Sequence, residues 1–134
     1  MATNNNEYTE YQVRVYKNGD KAWYLNGNRH REDGPAIECA DGYKEWYLNG
    51  NRHREDGPAV EYADGSKCWY LNGNRHREDG PAIECADGSK AWFLNDEEYS
   101  ESDWKKEIAK IKKLSCDGRI VEIDGKKYKL IEEK

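Results

Sequence analysis

The sequence predicts a mainly β chain, an elongated antiparallel β-meander of stacked hairpin repeats that ends in an amphipathic helix and one further β-hairpin. Three observations carry that prediction. Trp23, Trp46, Trp69 and Trp92 recur every 23 residues, and Gly19, Gly42, Gly65 and Gly88 keep the same interval. Between these markers apolar and polar residues alternate with the period of two that a half-buried strand requires. Each alternating run is bounded by Asn-Gly or Asp-Gly, the pairs that turn a chain back between antiparallel strands.

Composition alone points less clearly to order. Of the 134 residues, 36% are hydrophobic and 37% charged, a balance that leans towards disorder. Five Trp and ten Tyr offset it, because each buries a large area, and the fixed period decides for a folded repeat array. The net charge of −5 argues against a general nucleic-acid binder, which would carry a basic excess. No apolar run is long enough to span a membrane, and MATNNNEYTEYQ has neither the basic nor the apolar part of a signal peptide. The four cysteines (Cys39, Cys68, Cys85, Cys116) form no CxxC pair, so reduced thiols in a cytoplasmic protein are the expectation.

The elements follow in order. Residues 1–95 form the array, in units of about 10–25, 26–48, 49–71 and 72–95, the first of them degenerate. Asn18-Gly19, Asp41-Gly42, Asp64-Gly65 and Asp87-Gly88 suit two-residue type I′ turns. Counting outward from such a turn puts Ile37 opposite Trp46 and Ala36 opposite Tyr47. Two stripes result. One joins the four Trp to Leu25, Leu48, Leu71, Leu94 and to Ile37, Val60, Ile83, and is expected to be core. The other joins Tyr24, Tyr47, Tyr70 and Phe93 to Ala36, Ala59 and Ala82, a shallow aromatic groove unless the tail or a second copy buries it.

After Asn95 the wording changes, and residues 96–134 read as a helix plus hairpin cap. Ser100 to Asp103 offer an N-cap with acids in the first turn. Trp104, Ile108 and Ile111 then fall at helical spacing in a helix from about Ser102 to Leu114. RIVEI-DG-KKYKLI follows as a hairpin around Asp124-Gly125. The helix is expected to cover the Trp/Leu face and the hairpin to close that end of the sheet.

The segment RHRED, written three times from Arg29, Arg52 and Arg75, invites four readings. A metal site would bring His30, His53 and His76 to one ion, yet equivalent positions two strands apart lie about 10 Å from one another. Catalysis would gather unlike groups in one pocket, whereas here the same groups recur in every unit. Neither a metal, a cofactor nor a catalytic residue is therefore assigned. A structural role fits better: Arg pairs locally with Glu or Asp, and a His ring nitrogen anchors the loop to backbone. A binding role can run alongside it. Arg29, Arg31, Arg52, Arg54, Arg75 and Arg77 form a stripe of guanidinium forks, next to His30, His53, His76 and the stripe of Tyr24, Tyr47, Tyr70 and Phe93.

At these residues the chain resembles the MORN repeat family and its shorter variants, from about Tyr11 to Asn95. The likeness is a unit with Trp, then Asn-Gly, then a basic residue and His, then Gly, then Asp-Gly before the next strand. His-Arg-Glu-Asp-Gly-Pro stands where His-Gly-x-Gly is usual in that family. The resemblance implies hairpins in one gently curved sheet, and the HREDGPA wording resembles arrays in proteins of tailed phages and giant viruses. It implies a non-enzymatic interaction protein that binds a host or partner protein, such as a defence component, to inhibit or redirect it. Sequestration of a small nucleotide-type signal without cleavage is the alternative, and a purely structural scaffold a second. Membrane association, which the family name suggests, meets no basic patch here.

Overall fold

A computed structural model describes residues 9–116, 120–123 and 126–129 of the chain. It is mainly β, with antiparallel hairpins in a large meander-like sheet and one C-terminal helix. Residues up to Glu98 form one compact unit and residues from Tyr99 a second.

The first unit is built on a ten-stranded antiparallel sheet. Its edge strand Tyr11–Val15 pairs with Lys21–Leu25 over five residues and is exposed along its whole length. From there each return strand comes in two pieces. Asn28–Arg29 pairs with the end of Lys21–Leu25, and Ile37–Glu38 pairs with its beginning. Between them the chain leaves the sheet and returns at nearly the same place. Trp23 holds both ends: its C=O accepts from His30 N–H at 3.1 Å and its N–H donates to Ala36 C=O at 2.8 Å. Trp46 holds His53 and Ala59 in the same way, and Trp69 holds His76 and Ala82. The RHRED segment is thus an excursion from a strand, fixed at the backbone of one Trp.

The turns differ from expectation, and the difference propagates. Asn26-Gly27, Asn49-Gly50 and Asn72-Gly73 are the two-residue turns with both residues at positive φ, the type I′ signature. At Asp41-Gly42 only Gly42 has positive φ. Gly42 N–H donates to Cys39 C=O, and Cys39 N–H to Tyr43 C=O, which closes a three-residue loop of the bulged kind. The turns ending at Gly19, Gly65 and Gly88 repeat this. One extra loop residue shifts the register by one, and with a side-chain period of two a shift of one moves residues to the other face.

Ile37 accordingly pairs with Glu45 and not with Trp46, and the expected stripes exchange members. A row Ala22, Ile37, Glu45, Val60, Cys68, Ile83, Ala91 runs across the sheet on the face of Tyr47. Ala36, Ala59 and Ala82 move to the Trp face, where all three are fully buried at 0% exposure. A small residue beside each large ring lets the indoles occupy one row. Beyond them on that face, Lys21, Glu38, Lys44, Glu61, Lys67, Glu84 and Lys90 alternate in sign across neighbouring strands, a favourable order for cross-strand pairs. The four Trp are half-buried, while Tyr47, Phe93 and Leu94 belong to the buried core. Packing is therefore divided between the two faces and is not concentrated in a Trp/Leu stripe.

The ladder also runs past Asn95. Asn95 and Asp96 repeat the positive-φ turn, Asp96 N–H donates to Arg75 C=O, and Glu97–Tyr99 closes the sheet order.

In the second unit the helix spans Glu101–Cys116 with acids in its first turn. Ser100 Oγ accepts from Asp103 N–H at 3.2 Å, as an N-cap does for the third helical residue. Trp104 and Ile108 are buried, but Ile111 is exposed. The strands Ile120–Ile123 and Lys126–Lys129 pair antiparallel. The turn Asp124-Gly125 lies outside the described residues, and so does the segment 1–8 that bears on a leader. Among the described residues no helix is long and apolar enough to cross a membrane.

Candidate functional site

The repeated loop sends its two arginines to opposite faces. Arg31 lies over the Trp23 ring, its guanidinium carbon 3.9 Å from the centroid; Arg54 over Trp46 and Arg77 over Trp69 match it at 3.9 and 3.8 Å. The same guanidinium ties the loop. Arg54 Nε–H donates to Asp56, and one terminal nitrogen donates to Pro58 C=O and to Glu61. The bonds of Arg31 and Arg77 are equivalent. The glycine of each loop serves this approach: a Cβ on Gly57 would stand 2.9 Å from the Arg54 guanidinium carbon.

The histidines link units. His30 Nδ1 accepts from Asn49 N–H at 2.9 Å, which places the ring proton on Nε2, facing Glu32. His53 with Asn72 and His76 with Asn95 repeat the bond. Backbone bonds run beside it, from Arg31 N–H to Tyr47 C=O and from Gly50 N–H to Arg29 C=O. His30, His53 and His76 are thus committed to the stacking of one unit on the next. What the loops present outward is acid: the side chains of Asp33, Asp56 and Asp79 are 86, 88 and 86% exposed.

The first arginine of each loop lies with the tyrosines. Tyr24 pairs with Arg29, Tyr47 with Arg52 and Tyr70 with Arg75 across adjacent strands. Each guanidinium then lies over the ring of the next unit: Arg29 over Tyr47 at 5.5 Å, Arg52 over Tyr70 at 5.3 Å and Arg75 over Phe93 at 4.3 Å. The result is a ladder of alternating rings and guanidiniums, each of these guanidiniums in cation–π contact with the ring of the next unit. Its rings are less open than a groove would be: Tyr24 and Tyr70 are half-buried, Tyr47 and Phe93 buried. Of its guanidiniums, Arg29 is exposed and Arg52 and Arg75 are half-buried. Arg29 has no carboxylate partner among the described residues, while Arg75 pairs with Asp96 at 2.7 Å.

One place breaks the symmetry. Glu45 stands where the other units carry Ala22, Cys68 and Ala91, and it is buried. Arg52 donates to its Oε2 at 3.0 Å, and the Tyr43 hydroxyl donates to the same oxygen. The Tyr43 ring packs at a tilt on Tyr62, 5.3 Å between centroids. Burial first, and then the bond to Glu45, push the Tyr43 hydroxyl above the ordinary tyrosine range. Burial raises Tyr47 and Tyr62 as well. The Nε–H of Arg52 is buried without an acceptor among the described residues. Sequence reasoning attended to what repeats and passed over this cluster. Aligning the four copies shows part of the signal: Tyr43 stands in a column with Asp20, Ser66 and Ser89, and Glu45 is the one charged residue of its own, whereas Tyr62 shares its column with Tyr16.

No protein-family model matches the chain. No curated protein and no solved structure matches it either.

Proposed function

We propose that the chain is a MORN-like, non-catalytic protein-binding array of viral origin that acts on a host protein, inhibiting or redirecting it. The observation that carries this reading is the ladder of Arg29, Arg52 and Arg75 interleaved with Tyr24, Tyr47, Tyr70 and Phe93. Each guanidinium is held on a ring and is at least partly open, so little side-chain entropy is lost when a partner binds. Arg and Tyr in such settings dominate binding energy at protein interfaces. The three rungs differ in their own partners, Arg52 bonding to Glu45 and Arg75 to Asp96 while Arg29 is exposed, but they repeat at one interval and so add by proximity. Nucleotide sequestration is less well supported, because Arg31, Arg54 and Arg77 already bond to carboxylates and a carbonyl within their own loops.

The test is affinity capture from bacterial lysate with the tagged chain and two variants. A protein retained by the wild type should be lost with Arg29, Arg52 and Arg75 changed to Ser, Glu45 being changed to Ala alongside so that no buried carboxylate is orphaned, and kept with Glu32, Glu55 and Glu78 changed to Gln. Single changes such as Arg29→Ala should weaken it by about 1 kcal/mol or less. A chain that captures nothing, or whose captured proteins are all indifferent to the Arg triple, would contradict the proposal.

A further inference from the structure

The opposite face of the sheet carries a second feature that the ladder does not use. Between the loop around Asp33 and the loop around Glu55 lies a groove of about 620 Å³. Trp46 and Leu48 line it, and Glu32, Asp33, Glu55 and Asp56 line it from the two loops. A smaller groove of about 320 Å³ lies against Trp23, lined also by Tyr11, Glu32 and Asp33. Trp69 and Leu71 with Glu78 and Asp79 repeat the residues of the larger groove one unit on. The arginines that reach these grooves are already paired, Arg31 with Asp33 and Glu38, Arg54 with Asp56 and Glu61. The lysine row of this face alternates with Glu38, Glu61 and Glu84. Among the described residues Glu32, Glu55 and Glu78 each pair with a histidine Nε2 and with no Lys or Arg, and their side chains are 68, 82 and 55% exposed. The larger groove thus sets Leu48 and the part of Trp46 not under Arg54 beneath a rim in which Glu32 and Glu55 have no arginine partner among the described residues.

We infer that these grooves seat the lysine side chains of an extended basic segment of a partner protein. A lysine has the two parts required, an alkyl stem for Trp46 and Leu48 and an ammonium for the rim. Spacing selects the segment. Equivalent grooves are two strands apart, about 10 Å, and every third residue of a polyproline II segment advances about 9.3 Å. Lysine at every third position therefore meets successive grooves in register, and each further groove engaged raises the effective affinity. This surface lies on the other side of the sheet from the Arg/aromatic ladder, and the inference does not rest on the ladder's role.

The experiment is fluorescence anisotropy on the full chain at low salt, with a labelled 12-residue peptide of four Lys-Ala-Pro triplets. The control peptide has the same composition with its four lysines contiguous. The spaced peptide should bind about tenfold tighter than the block peptide. Changing Glu32, Glu55 and Glu78 to Gln keeps an acceptor for each histidine and removes three charges; it should weaken binding about tenfold. Should that triple variant not fold, Glu55→Gln alone should weaken it by about two- to threefold. The same charge change on the hairpin turns, Asp41, Asp64 and Asp87 to Asn, should stay within about twofold. The Arg29, Arg52 and Arg75 triple, again with Glu45→Ala, should bind the peptide no worse than the wild type, which separates this outcome from that of the ladder. Equal binding of the two peptides, indifference to the Glu changes, or spermine binding as tightly as the spaced peptide would each overturn the inference.

Discussion

Tyr43, Glu45 and Arg52 show how much one substituted column of a repeat can change locally. A carboxylate buried between Ile37 and Val60 on neighbouring strands would be costly alone. It is held by the Tyr43 hydroxyl and the Arg52 guanidinium. Tyr43→Phe should cost about 1.5–3 kcal/mol near neutral pH, the net worth of a bond to a carboxylate. The pH dependence follows from the raised tyrosine value. With the folded value above the unfolded one, the contribution is complete below the unfolded value, near 10, and is lost as pH rises towards the folded value. The difference in melting temperature between wild type and Tyr43→Phe should therefore shrink as pH climbs above about 10. A constant difference through that range would contradict the assignment. The histidines make a second residue-scale case. His53→Ala leaves Asn72 N–H without its acceptor and should cost about 1–2 kcal/mol in urea unfolding. His53→Asn, which puts an amide oxygen near the place of Nδ1, should recover part of that; identical losses would show that the bond contributes nothing. A histidine anchored to backbone was legible from the sequence, but its partner in the next unit was not, because nothing local says which N–H lies beside it.

Among the elements, the turns decided most. Asn-Gly and Asp-Gly look interchangeable as hairpin signals, yet the three-residue loop at each Asp-Gly shifts its hairpin by one residue. The period of 23, the strands and the meander order were legible because they rest on spacing alone. Which side chains share a face was not, because it turns on a single loop residue. The glycines separate the two kinds of constraint. Gly57 lacks positive φ but crowds Arg54, whereas Gly65 has open space at φ +97°. Either change to Ala should cost about 1–2 kcal/mol, Gly57 through overpacking and Gly65 through backbone strain. Only Gly57→Ala should also alter tryptophan fluorescence, by moving the guanidinium off Trp46. Unchanged emission in that variant would mean the arginine yields without leaving the ring.

For the repeat array as a whole, the copied loop answers two demands at once. Its second arginine and its histidine serve the fold, one by stacking on Trp within the unit and the other by bonding to the next unit. Its first arginine is free of carboxylates only at Arg29 among the described residues, since Arg52 bonds to Glu45 and Arg75 to Asp96. On the other face Glu32, Glu55 and Glu78 are the acids left outside the arginine bonds of the loops. A pattern of identical charged residues cannot reveal that division, since Arg29 and Arg31 read alike in the sequence and separate only when the strand leaves the sheet between them. The most direct measurement is therefore a comparison of Arg54→Ala with Arg29→Ala in urea unfolding. Arg54 loses a close cation–π contact and several hydrogen bonds, so its replacement should cost about 2–3 kcal/mol. Arg29, exposed and without a carboxylate partner among the described residues, should cost about 0.5 kcal/mol. Equal losses, or a larger loss at Arg29, would contradict the division of labour between the two arginines.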